Sequence, residues 1–155
     1  MRTRTIALTV VMCFAGLATA FAADNPNMGT WKLNEAKSKF SPGSPKNTTV
    51  VYAAAGDDIR VTVDGVDSQG KPTHNEWTGK FDGKDYPLLG DPGADTRSYK
   101  KISDRKTELT NKKDGKPTAT GTIVISADGK SRTLTVKGTN SMGKEVTQTA
   151  VYDKQ

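Results

Sequence analysis

Cysteine is almost absent from this chain, and the one cysteine lies in a segment that we expect to be removed. Cys13 falls within residues 6–17, an apolar run that follows the basic residues Arg2 and Arg4. The small-residue triplet Ala20-Phe21-Ala22 comes next. This order is typical of a Sec-type export signal, because the apolar run is too short to span a bilayer. We therefore expect residues 1–22 to be a signal peptide and the mature protein to be periplasmic or secreted.

Removal of residues 1–22 from the 155-residue chain leaves 133 residues without cysteine. Such a protein has no disulfide, no thiol nucleophile and no thiolate ligand for a metal. Its formal net charge falls from +6 to +4, because Arg2 and Arg4 leave with the signal. The remaining lysines lie mostly in turns, whereas nucleic-acid binding needs basic side chains clustered on one face with aromatics between them. We expect one domain at 23–155, no nucleic-acid partner and no membrane span after cleavage.

Groups that could carry catalysis or hold a metal are also scarce. His74 is the only histidine, and Glu76 shares its strand face, so an acid–base or metal pair would be geometrically possible there. The same face carries Thr78 and Lys80, which indicates a surface that faces solvent. No Gly-x-Ser-x-Gly elbow, Cys–His pair or Walker sequence occurs. We therefore expect no enzymatic activity, no metal site and no cofactor.

Strand and turn signals, in contrast, are abundant. From Thr48 onward, segments of Val, Ile, Thr and Tyr are separated by short turns, which is the pattern of antiparallel β-structure. Three turns carry an Asp-Gly-Lys triplet, at 82–84, 114–116 and 128–130. Glycine accepts the positive φ that tight hairpins need. The triplets lack the spacing of a P-loop or an EF-hand, so they predict plain hairpins.

The strand count predicts a closed barrel. Counting the opening strand around Trp31 gives nine or ten strands, joined mostly by hairpins, and no stretch of the mature chain has a helical period. Gly79 and Gly121 lie inside strands and indicate bulges or tight bends. An all-β, up-and-down antiparallel meander that closes into a barrel accommodates this count and leaves no sheet edge. A Greek-key sandwich is the competing architecture, but it would need longer crossovers.

Several runs of the sequence resemble one group of proteins. The opening Gly-Thr-Trp-Lys-Leu-Asn at 29–34, continued to Phe40, resembles short exported bacterial proteins described as lipocalin-like, and so do 81–87, 111–115 and 126–130. The similarity covers essentially the whole mature chain. Gly29-Thr30-Trp31 is also similar to the Gly-x-Trp that opens lipocalins, where the tryptophan closes the barrel floor. The resemblance implies a lipocalin-like (calycin-like) barrel, Trp31 at its floor and a small apolar ligand.

Hairpin connectivity sorts the loops between the two ends of such a barrel. If each turn reverses the chain direction, one end carries the segments 34–46, 68–71, 88–95, 114–116 and 141–144. The segment 88–95 has two leucines among polar and turn residues. It predicts either a portal flap over a cavity or a rigid turn with its leucines tucked under it.

The sequence also predicts space inside the barrel. Aromatic residues make up only 6% of the chain, and nine or ten strands enclose a wider barrel than the eight that side chains just fill. Trp77, Tyr86 and Tyr99 are predicted to line a partly polar cavity under 88–95, with Arg97 placed to meet an acidic head group. The alternative is that the rings pack the core and Arg97 faces solvent.

Two functions follow from these alternatives. The first is an exported protein that holds an apolar or acidic apolar molecule in its barrel. The second is a non-catalytic module with a filled barrel, whose outer surface binds envelope polymers or a protein partner. The presence or absence of interior space separates the two, because a filled barrel has no room for a ligand.

Overall fold

The computed structural model describes residues 25–139 and 143–155, so the predicted signal peptide and part of the segment 141–144 lie outside the described residues. Ten strands follow one another: β1 (Gly29–Leu33), β2 (Lys46–Ala55), β3 (Asp58–Val66), β4 (Pro72–Gly79), β5 (Tyr86–Leu89), β6 (Thr96–Ser103), β7 (Lys106–Lys113), β8 (Lys116–Ile125), β9 (Ser131–Thr139) and β10 (Glu145–Lys154). One 3-10 turn, Glu35–Lys37, lies between β1 and β2. In this part of the chain, no helix has the length and apolar character of a membrane span.

The strands form one closed antiparallel barrel. Each strand pairs with its neighbours in the sequence, and β1 also pairs with β10, which closes the sheet. Trp31 makes this closure, lying opposite Lys154 of β10 on one side and Val50 of β2 on the other. The predicted all-β, up-and-down barrel is therefore confirmed, with ten strands.

The connections between the strands lie at two ends of the barrel. The loop end carries residues 34–45, 67–71, 90–95, 114–115 and 143–144, which is the predicted grouping within the described residues. The opposite end, called here the N-terminal end, carries residues 25–28, 56–57, 80–85, 104–105 and 126–130. Asp114 and Gly115 both have positive φ, 50° and 74°, as a two-residue hairpin between twisted strands requires.

Neither Gly79 nor Gly121 lies at a bulge, which was one of the two predicted roles. Gly79 ends β4 paired with Ile59, and Gly121 pairs with Leu109 and Val136, in each case without a register shift. A Cβ on Gly79 would overlap the ring of Tyr86, and a Cβ on Gly121 would lie 3.1 Å from Cγ of Leu109. Both glycines face the barrel interior, so their lack of a side chain leaves room for neighbours on other strands.

Candidate ligand site in the barrel interior

Trp31 lies in the barrel interior with no exposed surface. Its indole Nε1 donates a hydrogen bond to the carbonyl oxygen of Asn27 at 2.7 Å. Asn27 belongs to the segment before β1 and reaches across to β7, where its Nδ2 lies 3.4 Å from Oγ1 of Thr107. The indole thus holds a segment that crosses the N-terminal end of the barrel.

Arg132 is a second buried residue of this region, and it was not predicted from the sequence. Its guanidinium lies 4.7 Å, 5.1 Å and 5.3 Å from the ring centroids of Tyr152, Tyr52 and Trp31, and its Nη1 donates to the hydroxyl of Tyr52 at 2.8 Å. Cation–π contacts with three rings compensate in part for the hydration that the charge has lost. The alternation of Leu134 with Val136 contained the signal, because Arg132 is the next residue on the same strand face.

The four predicted site residues lie together on β4, β5 and β6. Trp77 Nε1 donates to the carbonyl oxygen of Arg97 at 2.8 Å, and the ring of Trp77 lies 4.7 Å from that of Tyr99 and 5.7 Å from that of Tyr86, centroid to centroid. Phe81, which was not predicted, stacks on Tyr99 with centroids 4.9 Å apart. These rings pack against one another, as the filled-core alternative predicts.

None of the four predicted residues lines either of two cavities in the described part of the chain. Two cavities formed by the described residues, of about 150 Å³ and about 300 Å³, are lined by other side chains. The first lies at the N-terminal end and the second is a groove beside β8 and β9. The rings of Trp77 and Tyr99 contact each other at the place where open space was expected, because edge-to-face ring pairs fill a wide barrel with few residues.

Arg97 is the one charged residue of the predicted set, and it is buried. Only 7% of it is exposed, which overturns the alternative that it faces solvent. Its Nε donates to Oδ1 of Asn111 at 2.7 Å, and its Nη1 lies 3.5 Å from the hydroxyl of Tyr99. Burial, with the Tyr52 hydroxyl nearby, raises the pKa of Tyr99 well above its usual range, so this hydroxyl stays neutral. Among the described residues, no carboxylate lies within 4.0 Å of the Arg97 guanidinium.

Solvent reaches the inner wall of the barrel near the loop end. Leu134 and Val136 of β9 and Gln148 of β10 lie on the same inner faces as the buried Arg132 and Ala150, yet they are only half-buried. Inward-facing residues can keep such exposure only if the interior beside them is open. The inner wall of β9 thus offers apolar groups to a molecule that enters from the loop end. Nε2 of Gln148 on β10 donates to Oγ of Ser44 at 2.7 Å.

The segment 88–95 covers part of the loop end. Leu88 and Ala94 are buried in the core, whereas Leu89 is 65% exposed on the outer face. Oδ1 of Asp91 accepts from the backbone N of Gly93 at 2.8 Å, which stiffens the turn. Leu88 and Leu89 both belong to β5 and not to the turn, so the predicted loop begins two residues too early. Leu88 is tucked inside as the rigid-turn interpretation expected, whereas neither interpretation describes Leu89.

His74 and Glu76 lie on the outer face of β4, as the strand alternation predicts. His74 Nδ1 is 2.7 Å from Oδ1 of Asp64, and its Nε2 is 3.2 Å from Oε1 of Glu76, which also accepts from Arg60 at 2.8 Å. The hydrogen bond to Asp64, followed by that to Glu76, raises the pKa of His74. The hydrogen bond from Arg60 lowers the pKa of Glu76. Within residues 25–139 and 143–155, no cluster of three His, Cys, Asp or Glu side chains is arranged to hold a metal.

In an NMR titration, His74 should titrate above the reference value of about 6.5, and Asp64→Asn should lower its pKa because a carboxylate partner is lost. The folded protein binds this proton more tightly than the unfolded chain does. Protonated His74 therefore stabilises the folded protein fully below about pH 6.5, and this stabilisation is lost as the pH rises through the pKa of His74 in the folded state. Asp153→Asn, on another part of the barrel, is the control. Equal His74 pKa values in the wild type and in Asp64→Asn would contradict this account.

No protein-family model and no curated protein sequence matches the chain. Among solved structures, the chain is similar to a redesigned β-barrel, mFAP1, bound to DFHBI. The two share 15% sequence identity over 85% of this chain and 98% of that chain, with a TM-score of 0.47. The fold described here follows from the strand pairing alone.

Proposed function

We propose that the protein binds a small apolar molecule with an acidic head group, in the loop-end half of its barrel. The observation that carries this proposal is the guanidinium of Arg97, a buried cation whose partners, Asn111 and Tyr99, are both neutral. Burial of a charge is costly unless the charge is paired. An anionic head group would supply the counter-charge through hydrogen bonds that are shorter and stronger than those to neutral groups.

The inner face of β9 suits the apolar part of such a molecule. Leu134 and Val136 are half-buried on the inner face of β9, so a hydrocarbon chain or ring that covers them gains roughly 25 cal/mol for each Å² removed from water. Asn75, under the segment 88–95, has a buried Oδ1 without a hydrogen-bond partner among the described residues, which would accept from a hydroxyl on the body of the ligand. The ligand class that fits is a monocarboxylic acid with an apolar body.

Lauric acid, followed by isothermal titration calorimetry, tests this proposal. Wild-type protein should bind it saturably, and Arg97→Met should weaken binding at least about tenfold, because a hydrogen bond to a charged group contributes about 1.5–3 kcal/mol. Arg97→Lys keeps the charge and should lose less. Arg60→Met removes an arginine from the outer face and should bind as the wild type does.

The methyl ester of lauric acid separates charge recognition from simple burial. It should bind the wild type more weakly than the acid, and Arg97→Met should abolish that difference. Absence of saturable binding by both compounds would leave the filled-barrel interaction module as the better function. The contact of Trp77 with Tyr99 is the observation that favours this second function.

We also infer that the protein is exported. The basic start, the short apolar run of residues 6–17 and Ala20-Phe21-Ala22 support this, as does the resemblance to exported lipocalin-like proteins. Intact-mass measurement of envelope fractions should give a chain that begins at or near Ala23. Retention of residues 1–20 would contradict export by signal cleavage.

A further inference from the structure

A second, smaller cavity lies at the N-terminal end of the barrel, at the opposite end from the site proposed above. It is half-enclosed, with a volume of about 150 Å³. Asn27 and Thr107 form its buried part, and both are 3% exposed. An exposed rim is formed by Ser103, which is the last residue of β6, and by Asp104, which follows it.

Asn27 lines this cavity, and its buried side-chain oxygen is a hydrogen-bond acceptor that a small turn of the amide would bring to a ligand. Its Nδ2 is 3.1 Å from Oδ1 of Asn25 and 3.4 Å from Oγ1 of Thr107, and its backbone carbonyl accepts from Trp31. Its Oδ1 is buried and has no partner among the described residues. Because a buried amide oxygen without a partner is unfavourable, a ligand that donates to it would gain free energy. Thr107 accepts from Asn27, which leaves its own hydroxyl proton available to a ligand.

Phe81 gives the same cavity an apolar wall. It is half-buried, and one face of its ring stacks on Tyr99, with an interplanar angle of 15°. Phe81 is also one of the residues that line the cavity. An engineered protein cavity of about 150 Å³ binds benzene, so this volume matches a single six-membered ring. The polar buried wall disfavours a plain hydrocarbon, because Asn27 requires a hydrogen-bond donor.

We propose that this cavity binds one pyranose ring, the unit of a neutral monosaccharide or of a sugar at the end of a larger molecule. One ring hydroxyl donates to Oδ1 of Asn27 and another accepts from Thr107. The C–H face of the sugar lies along Phe81, and outer hydroxyls meet the rim at Ser103 and Asp104. The site shares no residue with the acid site at Arg97, so the two proposals stand or fall separately.

An NMR titration of the ¹⁵N-labelled protein with the methyl glycosides of glucose, galactose and mannose tests this site. At least one glycoside should shift the amides of residues 27, 81 and 103–107 saturably, with a Kd on the order of 1 mM, and leave those of residues 88–97 unchanged. Thr107→Val should weaken this binding at least about fivefold, because it removes a hydroxyl and keeps the shape. Thr110→Val makes the same change on the outer face of β7 and should leave binding unchanged.

Asn27→Leu should abolish the shifts, and if that variant fails to fold, Thr107→Val decides alone. The proposal is overturned if no glycoside shifts these amides at concentrations up to about 0.1 M. It is also overturned if Thr107→Val binds as the wild type does, or if phenol shifts the same amides while every glycoside fails. Lauric acid binding is unaffected by any of these outcomes, so the acid site is tested independently.

Discussion

Replacement of Trp31 by alanine should lower the free energy of unfolding by about 3–5 kcal/mol, the range for emptying a buried site of a large aromatic residue. The indole has no exposed surface, and the guanidinium of Arg132 lies 5.3 Å from its centroid. Alanine would leave a cavity and deprive the carbonyl of Asn27 of its donor. It would also remove one of the three rings that contact the buried guanidinium of Arg132. Urea denaturation followed by far-UV circular dichroism measures the loss.

Two further variants serve as comparisons for Trp31→Ala. Leu89→Ala truncates an apolar residue that is 65% exposed and should cost less than about 0.5 kcal/mol. Trp31→Phe keeps an aromatic ring without the N–H donor, so its cost should fall between the two. A loss under about 1 kcal/mol for Trp31→Ala would show that the indole does not support the N-terminal end of the barrel.

Gly65→Ala should lower the free energy of unfolding by about 2–3 kcal/mol, near the upper end of the range for overpacking. Gly65 is buried in β3 and faces β2 beside a register irregularity between Asn47 and Thr49. A Cβ there would overlap the carbonyl oxygen of Lys46 and lie 2.9 Å from Cα of Asn47. Backbone atoms cannot rotate away as a side chain can, so the strand itself would have to move.

Gly138→Ala is the matched control for that variant. Gly138 also lies within a strand, but a Cβ there would come no closer than 3.3 Å to the carbonyl oxygen of Thr118. We expect a cost under about 1 kcal/mol, measured by the same urea denaturation. Equal losses for the two variants would mean that the barrel absorbs the Gly65 overlap by a small shift of β2.

The architecture was predictable because its signals are local. Alternation of apolar and polar residues defined the strand faces, and Asp-Gly pairs such as Asp114-Gly115 marked the tight turns. In β4, this alternation placed Trp77 and Gly79 inside and His74 outside, as observed. Ten strands joined by short connections then leave closure as the arrangement without free edges.

Features that depend on side-chain contacts between strands were not predictable in the same way. Gly79 and Gly121 carry the signature of a bulge in the sequence, but their role is to admit Tyr86 and Leu109, which approach from other strands. The alternation of side chains along β9 is enough to predict that Arg132 points inward. Only the closed barrel, however, brings the rings of Trp31, Tyr52 and Tyr152 into contact with its guanidinium.

By itself the sequence determined the closed β-barrel, the sorting of its loops and the shared strand face of Arg97 and Tyr99, because each depends on a period of two and on turn chemistry within a few residues. Only the tertiary structure decided that the rings of Trp77 and Tyr99 pack against each other, with 4.7 Å between their centroids. It also decided that Arg97 is buried beside neutral partners. Ring packing joins residues of different strands, and the burial of Arg97 depends on what surrounds it in the closed barrel, so neither follows from a local sequence period.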